Sequence, residues 1–311
     1  MKKILITGGA GYIGSILATK LVNLGHKVTV VDILKYNKNS IYHLFSKKNF
    51  NFIKADIRNS KLIKKLLSKN EIIIPLAGLV GAPLCERKKR EATIINLNSI
   101  KDIVKYSGEK NKIIYLATNS GYGIGKKNKY CTEETTLRPI SHYGKTKCEA
   151  ENQVTKLHNY VSFRLATVFG ASYRMRTDLL VNNFCYMAVR NKKLKIFEPH
   201  FRRNFVHIND VVDCIIFAIN NFNKVRSNIY NLGLSNANIS KINLARKIKK
   251  IYRPLKIEIA VNRSDIDKRD YIVSNEKLKK RGFQAKISLE SGIKELINIF
   301  TLSDEKFINN Y

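Results

Sequence analysis

A tyrosine and a lysine four positions apart, Tyr143 and Lys147, are the pair in this sequence best spaced for proton transfer. On a helix, this spacing places the two side chains on the same face. A phenol, whose ordinary pKa is about 10, is a weak base at neutral pH, but a neighbouring ammonium stabilises the phenolate and lowers that pKa. The pair alone is a weak signal in a lysine-rich chain. Thr118, 25 residues before Tyr143 at the end of a predicted strand, strengthens it by placing a hydroxyl beside the tyrosine.

A glycine-rich turn follows the first predicted strand, with Gly8, Gly11 and Gly14 in the spacing G-x-x-G-x-x-G. The first glycine permits a tight turn, the second lets the backbone approach a pyrophosphate, and the third lets the next helix pack closely on the sheet. The strand before the turn and the helix after it favour a dinucleotide site over a glycine turn without a ligand. Tyr12 and Ile13, at the start of that helix, are expected to contact the dinucleotide.

Two aspartates at strand ends bear on which dinucleotide binds. Asp32 ends the second predicted strand, eighteen residues after Gly14. A carboxylate there accepts hydrogen bonds from both adenosine ribose hydroxyls and repels a 2′-phosphate, which predicts NAD rather than NADP, although the nearby Lys35 weakens this preference. Asp56 and Ile57 follow the third strand and are placed to meet the adenine, but a solvated turn aspartate fits the same pattern.

Short β-branched segments alternate with helical segments through the first half of the chain. The predicted strands cover residues 3–7, 27–31, 50–54, 71–76, 112–117 and 160–165, and the predicted helices cover 12–24, 60–68, 90–106 and 143–158. This alternation is typical of βαβ units, so we expect an α/β fold with a Rossmann-type, doubly wound parallel sheet. Ligands bind at the carboxyl ends of the strands in that fold, which would bring the glycine turn, Asp32 and Thr118 together.

After Thr167 the alternation becomes irregular. Helices are predicted near 178–190, 209–221 and 240–252, with a strand at 195–197. No repeat or low-complexity linker separates this part from the first, so we expect a smaller, intertwined C-terminal lobe that binds substrate. The predicted division assigns residues 1–166 and a returning segment at about 205–232 to the NAD-binding domain, and residues 167–204 and 233–311 to the substrate lobe.

The composition fits one large domain or two closely joined domains. The chain has 311 residues, of which 44% are hydrophobic, enough for a full core. Its five cysteines are scattered without C-x-x-C spacing, and its six histidines show no metal-ligand spacing. We therefore expect no bound metal and a reducing, cytoplasmic setting. No apolar stretch is long enough to cross a bilayer, so no membrane association is expected.

The net charge of +33 allows two interpretations. A basic field of this size attracts polyanions such as nucleic acid. Alternatively, the lysines are diffuse and reflect a chain rich in Lys, Asn and Ile. We favour the second interpretation, because basic residues recur along the whole chain and no nucleic-acid module with interleaved aromatic residues is present. No nucleic-acid partner is expected, while a positive surface would favour encounter with a diphosphate.

These features resemble the NAD-dependent epimerase/dehydratase family of extended short-chain dehydrogenases. The resemblance covers nearly the whole chain and rests on the glycine turn, Asp32, Ala77-Gly78 after the fourth strand, Asn96, Thr118, the Tyr143/Lys147 pair, and residues 203–210, RNFVHIND, which are similar to the family's R-D-F-V-H-V-x-D. It implies a homodimer with bound NAD. Further contacts to NAD are implied for Leu76, Ala77, Gly78 and Asn96.

The resemblance also implies roles for the side chains of the site. Tyr143 would remove the proton from a sugar hydroxyl while hydride passes to the nicotinamide. Lys147 would lower the tyrosine pKa and bind the nicotinamide ribose, and Thr118 would hold the reacting oxygen, with Ser120 as a substitute. Contacts to a nucleotide sugar are expected from Asn119, Ser120, Arg176, Asn182, Arg203 and Arg269. The last two of these would clamp its diphosphate.

Two departures from the family pattern narrow the range of reactions that this chain is expected to catalyse. Sugar-nucleotide 4,6-dehydratases carry an Asp-Glu pair directly after the active-site threonine, where this chain has Asn119-Ser120. No elimination of water is therefore expected. The family's R-x-x-N is Arg164-Leu165-Ala166-Thr167 in this chain, which puts a standard hexose 4-epimerase pocket in doubt.

Segments 75–85, 119–125, 175–182 and 201–204 resemble the GDP-heptose 4-dehydrogenases of capsular polysaccharide biosynthesis. That resemblance implies oxidation of the C4 hydroxyl to a ketone, with a cofactor that stays bound and a 2-oxo acid such as 2-oxoglutarate that takes the hydride back. A nucleotide-sugar 4-epimerase would share every catalytic residue and stays an alternative. A catalytically inactive nucleotide-binding protein would predict a disrupted Tyr/Lys pair, and both residues are present.

Overall fold

The computed structural model describes residues 1–36, 39–260, 269–303 and 307 of the chain. Its strands, in chain order, are β1 Lys3–Thr7, β2 Lys27–Asp32, β3 Phe50–Lys54, β4 Ile72–Pro75, β5 Lys112–Thr118, β6 Tyr130–Cys131, β7 Tyr160–Leu165, β8 Thr167–Phe169, β9 Lys193–Ile196, β10 Arg202–Arg203, β11 Phe205–His207, β12 Asn228–Leu232, β13 Ile239–Ser240, β14 Lys256–Ile259 and β15 Ile272–Val273. Its α-helices are α1 Tyr12–Asn23, α2 Ser60–Lys69, α3 Ala82–Arg87, α4 Lys89–Thr93, α5 Ser99–Tyr106, α6 His142–Val154, α7 Leu180–Asn191, α8 Ile208–Asn220, α9 Phe222–Val225, α10 Lys241–Ile251, α11 Glu276–Lys280 and α12 Leu289–Leu302. Short 3₁₀ turns lie at Tyr42–Leu44 and Asn119–Tyr122, and a π-helical turn lies at Ile94–Asn98.

Seven strands form one sheet in the order β12-β7-β5-β4-β1-β2-β3. Every neighbouring pair in this sheet is parallel. Central strands are hydrophobic along their length because helices cover both faces, and Ile4, Leu5 and Ile6 of β1 are fully buried. The predicted Rossmann-type α/β fold is confirmed.

The helices lie in two layers, each with its own hydrophobic core. Ile4 and Ile6 of β1 face the core that contains Leu17 of α1 and Val211 of α8. Leu5 points the other way, into the core formed with α2, α5 and α6. Side chains alternate across a strand, so one short apolar run supplies both cores.

The seventh strand, β12, is absent from the sequence prediction. Its sequence, NIYNL, carries two asparagines, which disfavour a strand on local grounds. Asn231 is nevertheless fully buried, because its side chain accepts a hydrogen bond from the Tyr122 hydroxyl at 2.7 Å and donates one to the Ser274 carbonyl at 3.1 Å. Tertiary hydrogen bonds therefore compensate for a low strand propensity.

The single helix predicted over residues 90–106 is divided in the structure. The π-helical turn at Ile94–Asn98 lies between α4 and α5 and contains Asn96, which is almost fully buried. Such wide turns interrupt an α-helix where a side chain must be presented differently from its regular direction. Here the turn presents Asn96 to the backbone that follows β4, a consequence of packing that helix propensity does not predict.

The C-terminal part supplies strand β12 to the main sheet and shares a hydrophobic core with it. β11 pairs in parallel with β8, and α12, which the sequence did not predict, packs against α7.

In the described part of the chain, no helix is long and apolar enough to span a membrane. No group of three or more His, Cys, Asp or Glu side chains among the same residues could hold a metal ion. All five cysteines are buried and free of disulfides.

Candidate active site

A cavity of about 570 Å³ lies along the carboxyl edge of the sheet. The glycine turn, the ends of β2, β4 and β5 and the start of α6 line one part of it, and residues near 174–183, 203 and 269–271 line the rest. Parallel strands end at a common edge, which is where ligands bind in open α/β sheets. Both parts of the chain therefore contribute to one site.

The glycine turn is shaped for the close approach of a phosphate. Gly8 has a φ of +72°, and a Cβ there would lie 2.5 Å from the backbone nitrogen of Ala77. A Cβ at Gly14 would lie 2.5 Å from the Gly8 carbonyl oxygen, so side chains are excluded at both positions. α1 begins at Tyr12, and Gly11 before it has no side chain to cap the first amides. These amides are left for a pyrophosphate, so the turn fits a dinucleotide.

Asp32 is held at the end of β2 by two backbone amides. Its carboxylate accepts hydrogen bonds from the Ala10 N–H at 3.0 Å and from the Leu34 N–H at 2.8 Å. Burial raises the pKa of Asp32, whereas the backbone hydrogen bonds and the charge of Arg174 lower it. The carboxylate lines the cavity beside the glycine turn, where the sequence predicts a contact to the adenosine ribose.

Asp56 and Ile57 also line the cavity, after β3. The Asp56 carboxylate accepts a hydrogen bond from the Arg58 guanidinium at 2.6 Å, and this bond lowers the pKa of Asp56. The Asp56 carboxylate is therefore paired with Arg58 at the cavity wall, while the buried Ile57 offers apolar surface there.

Leu76, Ala77 and Gly78 line the cavity after β4, and Asn96 lines it beside them. The Asn96 Oδ1 accepts a hydrogen bond from the Leu79 N–H at 2.8 Å, and its Nδ2 donates to the Leu79 carbonyl at 2.9 Å. A Cβ at Gly78 would lie 2.9 Å from the Asn96 Oδ1. The Asn96 amide thus fixes the backbone of the cofactor site, and its hydrogen bonds are made to that backbone.

Thr118 and Ser120 place two hydroxyls beside Tyr143 at the end of β5. The Thr118 hydroxyl donates a hydrogen bond to the Ser120 Oγ at 2.9 Å and accepts one from the Ser120 N–H at 3.1 Å. All three side chains line the cavity, and both aliphatic hydroxyls are buried. α6 can begin one residue before Tyr143 because the Ser141 hydroxyl caps it by accepting a hydrogen bond from the Gly144 N–H at 3.2 Å.

Burial raises the pKa of the Tyr143 phenol to about 12. The positive charges of Arg269 and Arg176 and a hydrogen bond with Thr118 act in the opposite direction. Lys147, which the sequence predicts to lower this pKa, is not among these groups. The Lys147 ammonium lies 4.2 Å from the centroid of the Tyr115 ring.

The Lys147 side chain is mostly enclosed, and burial lowers its pKa to about 7, while the charge of Glu151 raises it. Lys147 therefore changes between its charged and neutral forms near pH 7, and the groups in contact with it influence which form is present.

One part of the cavity is rich in positive charge. The Arg203 guanidinium is nearly buried and lies 5.8 Å from the centroid of the Tyr271 ring, and Arg269 donates a hydrogen bond to the Ser120 hydroxyl. Lys241, at the start of α10, lines the same cavity and is only 5% exposed. Lys241 and Tyr271 were missed from the sequence, because neither lies in a spacing that indicates chemistry.

Arg176 lines the cavity and is paired with Asp178, whose Oδ1 accepts a hydrogen bond from the arginine Nε at 3.0 Å. Arg174 was not predicted to contribute to the site. Its guanidinium lies 4.8 Å from the centroid of the Tyr36 ring, and burial lowers its pKa to about 10.

Two predicted substrate contacts lie outside the cavity lining. Asn182 is fully buried, accepts a hydrogen bond from the Gly170 N–H at 3.0 Å and donates one to the Arg176 carbonyl at 2.8 Å. The next residue of α7, Asn183, lines the cavity instead, because one step along a helix rotates the side chain to another face. Asn119 is also fully buried, and its amide has no hydrogen-bond partner among the described residues.

Arg164, the first residue of the segment that departs from the family's R-x-x-N, lies behind α6. It forms a buried ion pair with Glu151 at 2.8 Å, and the Ser162 hydroxyl donates to the same carboxylate at 2.7 Å. The positive charge of Arg164 is therefore paired with Glu151 inside the core.

Fold and site together define an enzyme with a dinucleotide site at the carboxyl edge of a Rossmann-type sheet. Residues 4–233 match the model of the NAD dependent epimerase/dehydratase family, and the chain belongs to this family. A dTDP-D-glucose 4,6-dehydratase from Dictyostelium discoideum is 28% identical over 273 residues, which cover 80% of this chain and 62% of that protein.

Solved structures show the same fold. The dTDP-glucose 4,6-dehydratase from Bacillus anthracis in complex with NAD has a TM-score of 0.84 and 21% identity over 98% of both chains. The UDP-glucose 4-epimerase from Thermotoga maritima with UDP-glucose has a TM-score of 0.82 and 24% identity, covering 96% of this chain and 98% of that one. The cofactor of the family is NAD, and the glycine turn and Asp32 of this chain fit it.

Proposed function

We propose that this enzyme uses NAD to oxidise a hydroxyl of a nucleotide-activated sugar to a ketone, and that the hydroxyl is C4 of a GDP-heptose. The observation that carries the proposal is the meeting of the Thr118, Ser120 and Tyr143 hydroxyls on one wall of the cavity that also contains the glycine turn. The preference for a GDP-heptose rests on the resemblance of four short segments of the sequence.

Each residue of the site has its own role in the proposed reaction. Thr118 and Ser120 hold the sugar oxygen by hydrogen bonds, and Tyr143 as phenolate takes its proton. The charges of Arg269 and Arg176 favour that phenolate. Lys147, in its charged form, adds to the positive potential at this wall and donates to the ribose next to the reacting centre. Bound NAD supplies the hydride acceptor.

The carboxylates of the cavity support an oxidation without loss of water. Elimination needs an acid and a base at the carbons beside the ketone, yet the residues directly after Thr118 are an amide and a hydroxyl. The carboxylates on the cavity wall in the described residues are held by amides or cations at other places: Asp32, Asp56, Glu91 and Asp178.

Recognition of the nucleotide diphosphate is assigned to the cationic part of the cavity. Arg203 and Arg269 are the predicted clamps, and Lys241 adds a third positive group on the same wall. Enclosed cations of this kind bind phosphate oxygens more strongly than exposed ones, because water screens them less.

A second candidate is a nucleotide-sugar 4-epimerase, which would return the hydride to the opposite face of the ketone. The likeness to UDP-glucose 4-epimerases and the shared catalytic residues favour it. The dehydrogenase requires an external hydride acceptor, for which we propose a 2-oxo acid such as 2-oxoglutarate, and we propose that the enzyme acts as a homodimer.

The test uses purified full-length protein. Nucleotide released by mild denaturation is identified by mass spectrometry, and the protein is then incubated with GDP-heptose with and without 2-oxoglutarate. A keto sugar two mass units lighter than the substrate, formed in excess over the enzyme only with the 2-oxo acid, supports the dehydrogenase. An unchanged mass with an inverted stereocentre supports the epimerase. Loss of water from the sugar, or no turnover with any nucleotide sugar, overturns the proposal.

A further inference from the structure

Tyr115 contacts Lys147 directly, although its position suggests no chemistry. It lies in β5, three residues before Thr118, and its side chain is fully buried on the face that packs against α6. The centroid of its ring is 4.2 Å from the Lys147 Nζ. Its hydroxyl donates a hydrogen bond to the Lys147 carbonyl at 3.4 Å. The ring and the helix backbone are thus held in a defined relation.

Other titratable and charged groups also act on the Lys147 ammonium, but none of them offers it an unpaired negative charge. The titratable and charged groups that act on Lys147 are Glu151 and Cys148 of α6 and Cys85 of α3. The Glu151 carboxylate is engaged by Arg164 at 2.8 Å, which offsets its charge. Burial raises the pKa of both thiols to about 12, so they are neutral.

An aromatic ring attracts a cation to its negative face, more strongly when both are removed from water. A buried ammonium without such a contact loses its proton readily, because burial disfavours the charged form. The Tyr115 ring, whose centroid lies 4.2 Å from the ammonium, is therefore placed to hold it and to favour its charged form.

We propose that Tyr115 is a positioning residue for catalysis, whose ring face keeps the Lys147 ammonium protonated and fixed at the cavity wall beside Tyr143. The inference rests on the proposed function in one respect: Lys147 must act in its charged form. The phenolic hydroxyl is dispensable in this role, since the ring alone makes the contact.

The first experiment measures the pKa of Lys147 by NMR in protein with ¹³C-labelled lysine, with the signal assigned by its loss in Lys147→Met. Tyr115→Phe keeps the ring and leaves this pKa unchanged. Tyr115→Leu removes the ring and lowers it by about one pH unit, the size expected of an enclosed cation–π contact. Phe163→Leu is the matched control, because Phe163 is an equally buried ring in the neighbouring strand β7, in the opposite core. It should leave the pKa of Lys147 unchanged.

The second experiment measures kcat against pH with the sugar nucleotide that the wild type oxidises. Activity should be lost at high pH as Lys147 is deprotonated, and in Tyr115→Leu this loss should move about one unit lower, with roughly fivefold lower kcat at pH 7. Tyr115→Phe should follow the wild type. If Tyr115→Leu does not fold, fluorinated phenylalanines at position 115 weaken the ring face at nearly constant shape and should lower both values stepwise.

The two readouts separate the inference from the proposed function. A wild type without turnover overturns the function, while the NMR titration still decides whether the ring supports the charged lysine. An active wild type whose Tyr115→Leu variant keeps the pKa of Lys147 and its pH profile overturns the inference and leaves the function intact.

Discussion

The Tyr12 hydroxyl donates a hydrogen bond to the Gly170 carbonyl at 2.7 Å, and the Asn182 Nδ2 lies 3.2 Å from the same hydroxyl. Tyr12 is the first residue of α1, whose amides face the phosphate-binding turn. Asn182 in turn holds the backbone of Arg176. One buried phenol therefore joins the cofactor turn to the segment that brings a cation to the other side of the cavity.

Tyr12→Phe should lower the free energy of unfolding by about 1–2 kcal/mol, because the Gly170 carbonyl and the Asn182 amide each lose a buried partner. Urea unfolding followed by circular dichroism measures the change. Tyr42→Phe is the control, since Tyr42 is 57% exposed and no stability change is expected there. Equal stability of Tyr12→Phe and the wild type would contradict the assigned hydrogen bonds.

Tyr143→Phe should abolish oxidation of the sugar while NAD stays bound, because only the proton transfer is removed. We expect kcat to fall by at least about a hundredfold, the usual contribution of a positioned base. Steady-state kinetics and mass spectrometry of the released nucleotide check both parts. Near-normal turnover would mean that another group acts as base.

Asp32→Ala should weaken NAD binding and reduce the preference for NAD over NADP, because the carboxylate that accepts from the ribose hydroxyls and repels a 2′-phosphate is lost. Calorimetry with both cofactors on protein freed of nucleotide measures the ratio of affinities. The Ala10 and Leu34 amides would then face the cofactor site and add to the positive potential. An unchanged ratio would remove Asp32 from cofactor selection.

Lys147→Met should stabilise the protein most at low and neutral pH. The pKa of Lys147 falls from its usual 10.5 to about 7 on folding, so the cost of burying the charge is fully present below pH 7. This cost is relieved as pH rises through the folded pKa toward the unfolded one. Urea unfolding should show the variant more stable than the wild type by about 5 kcal/mol at pH 6 and by about 2 kcal/mol at pH 9. A difference that does not change with pH would show that the lysine keeps its ordinary pKa.

Local sequence was enough to predict six of the seven strands of the main sheet. Strands β1, β3 and β7 have the predicted bounds, because runs such as KILIT are apolar enough to be buried on both faces wherever they pack. The glycine spacing and the Tyr143/Lys147 spacing likewise depend on residues within one turn of each other. Such short-range geometry is set by backbone dihedrals and helix periodicity, so it can be inferred before the chain is folded.

The partners of these side chains were decided only by the tertiary structure. Which asparagine of α7 faces the cavity depends on the rotation of that helix against its neighbours, and Asn183 rather than Asn182 has this position. β12 exists because Asn231 finds buried hydrogen-bond partners in distant segments, and the Lys147 ammonium lies on the Tyr115 ring because α6 packs on β5. Contacts between residues far apart in the chain depend on how whole helices and strands pack together. Local sequence patterns therefore do not predict them.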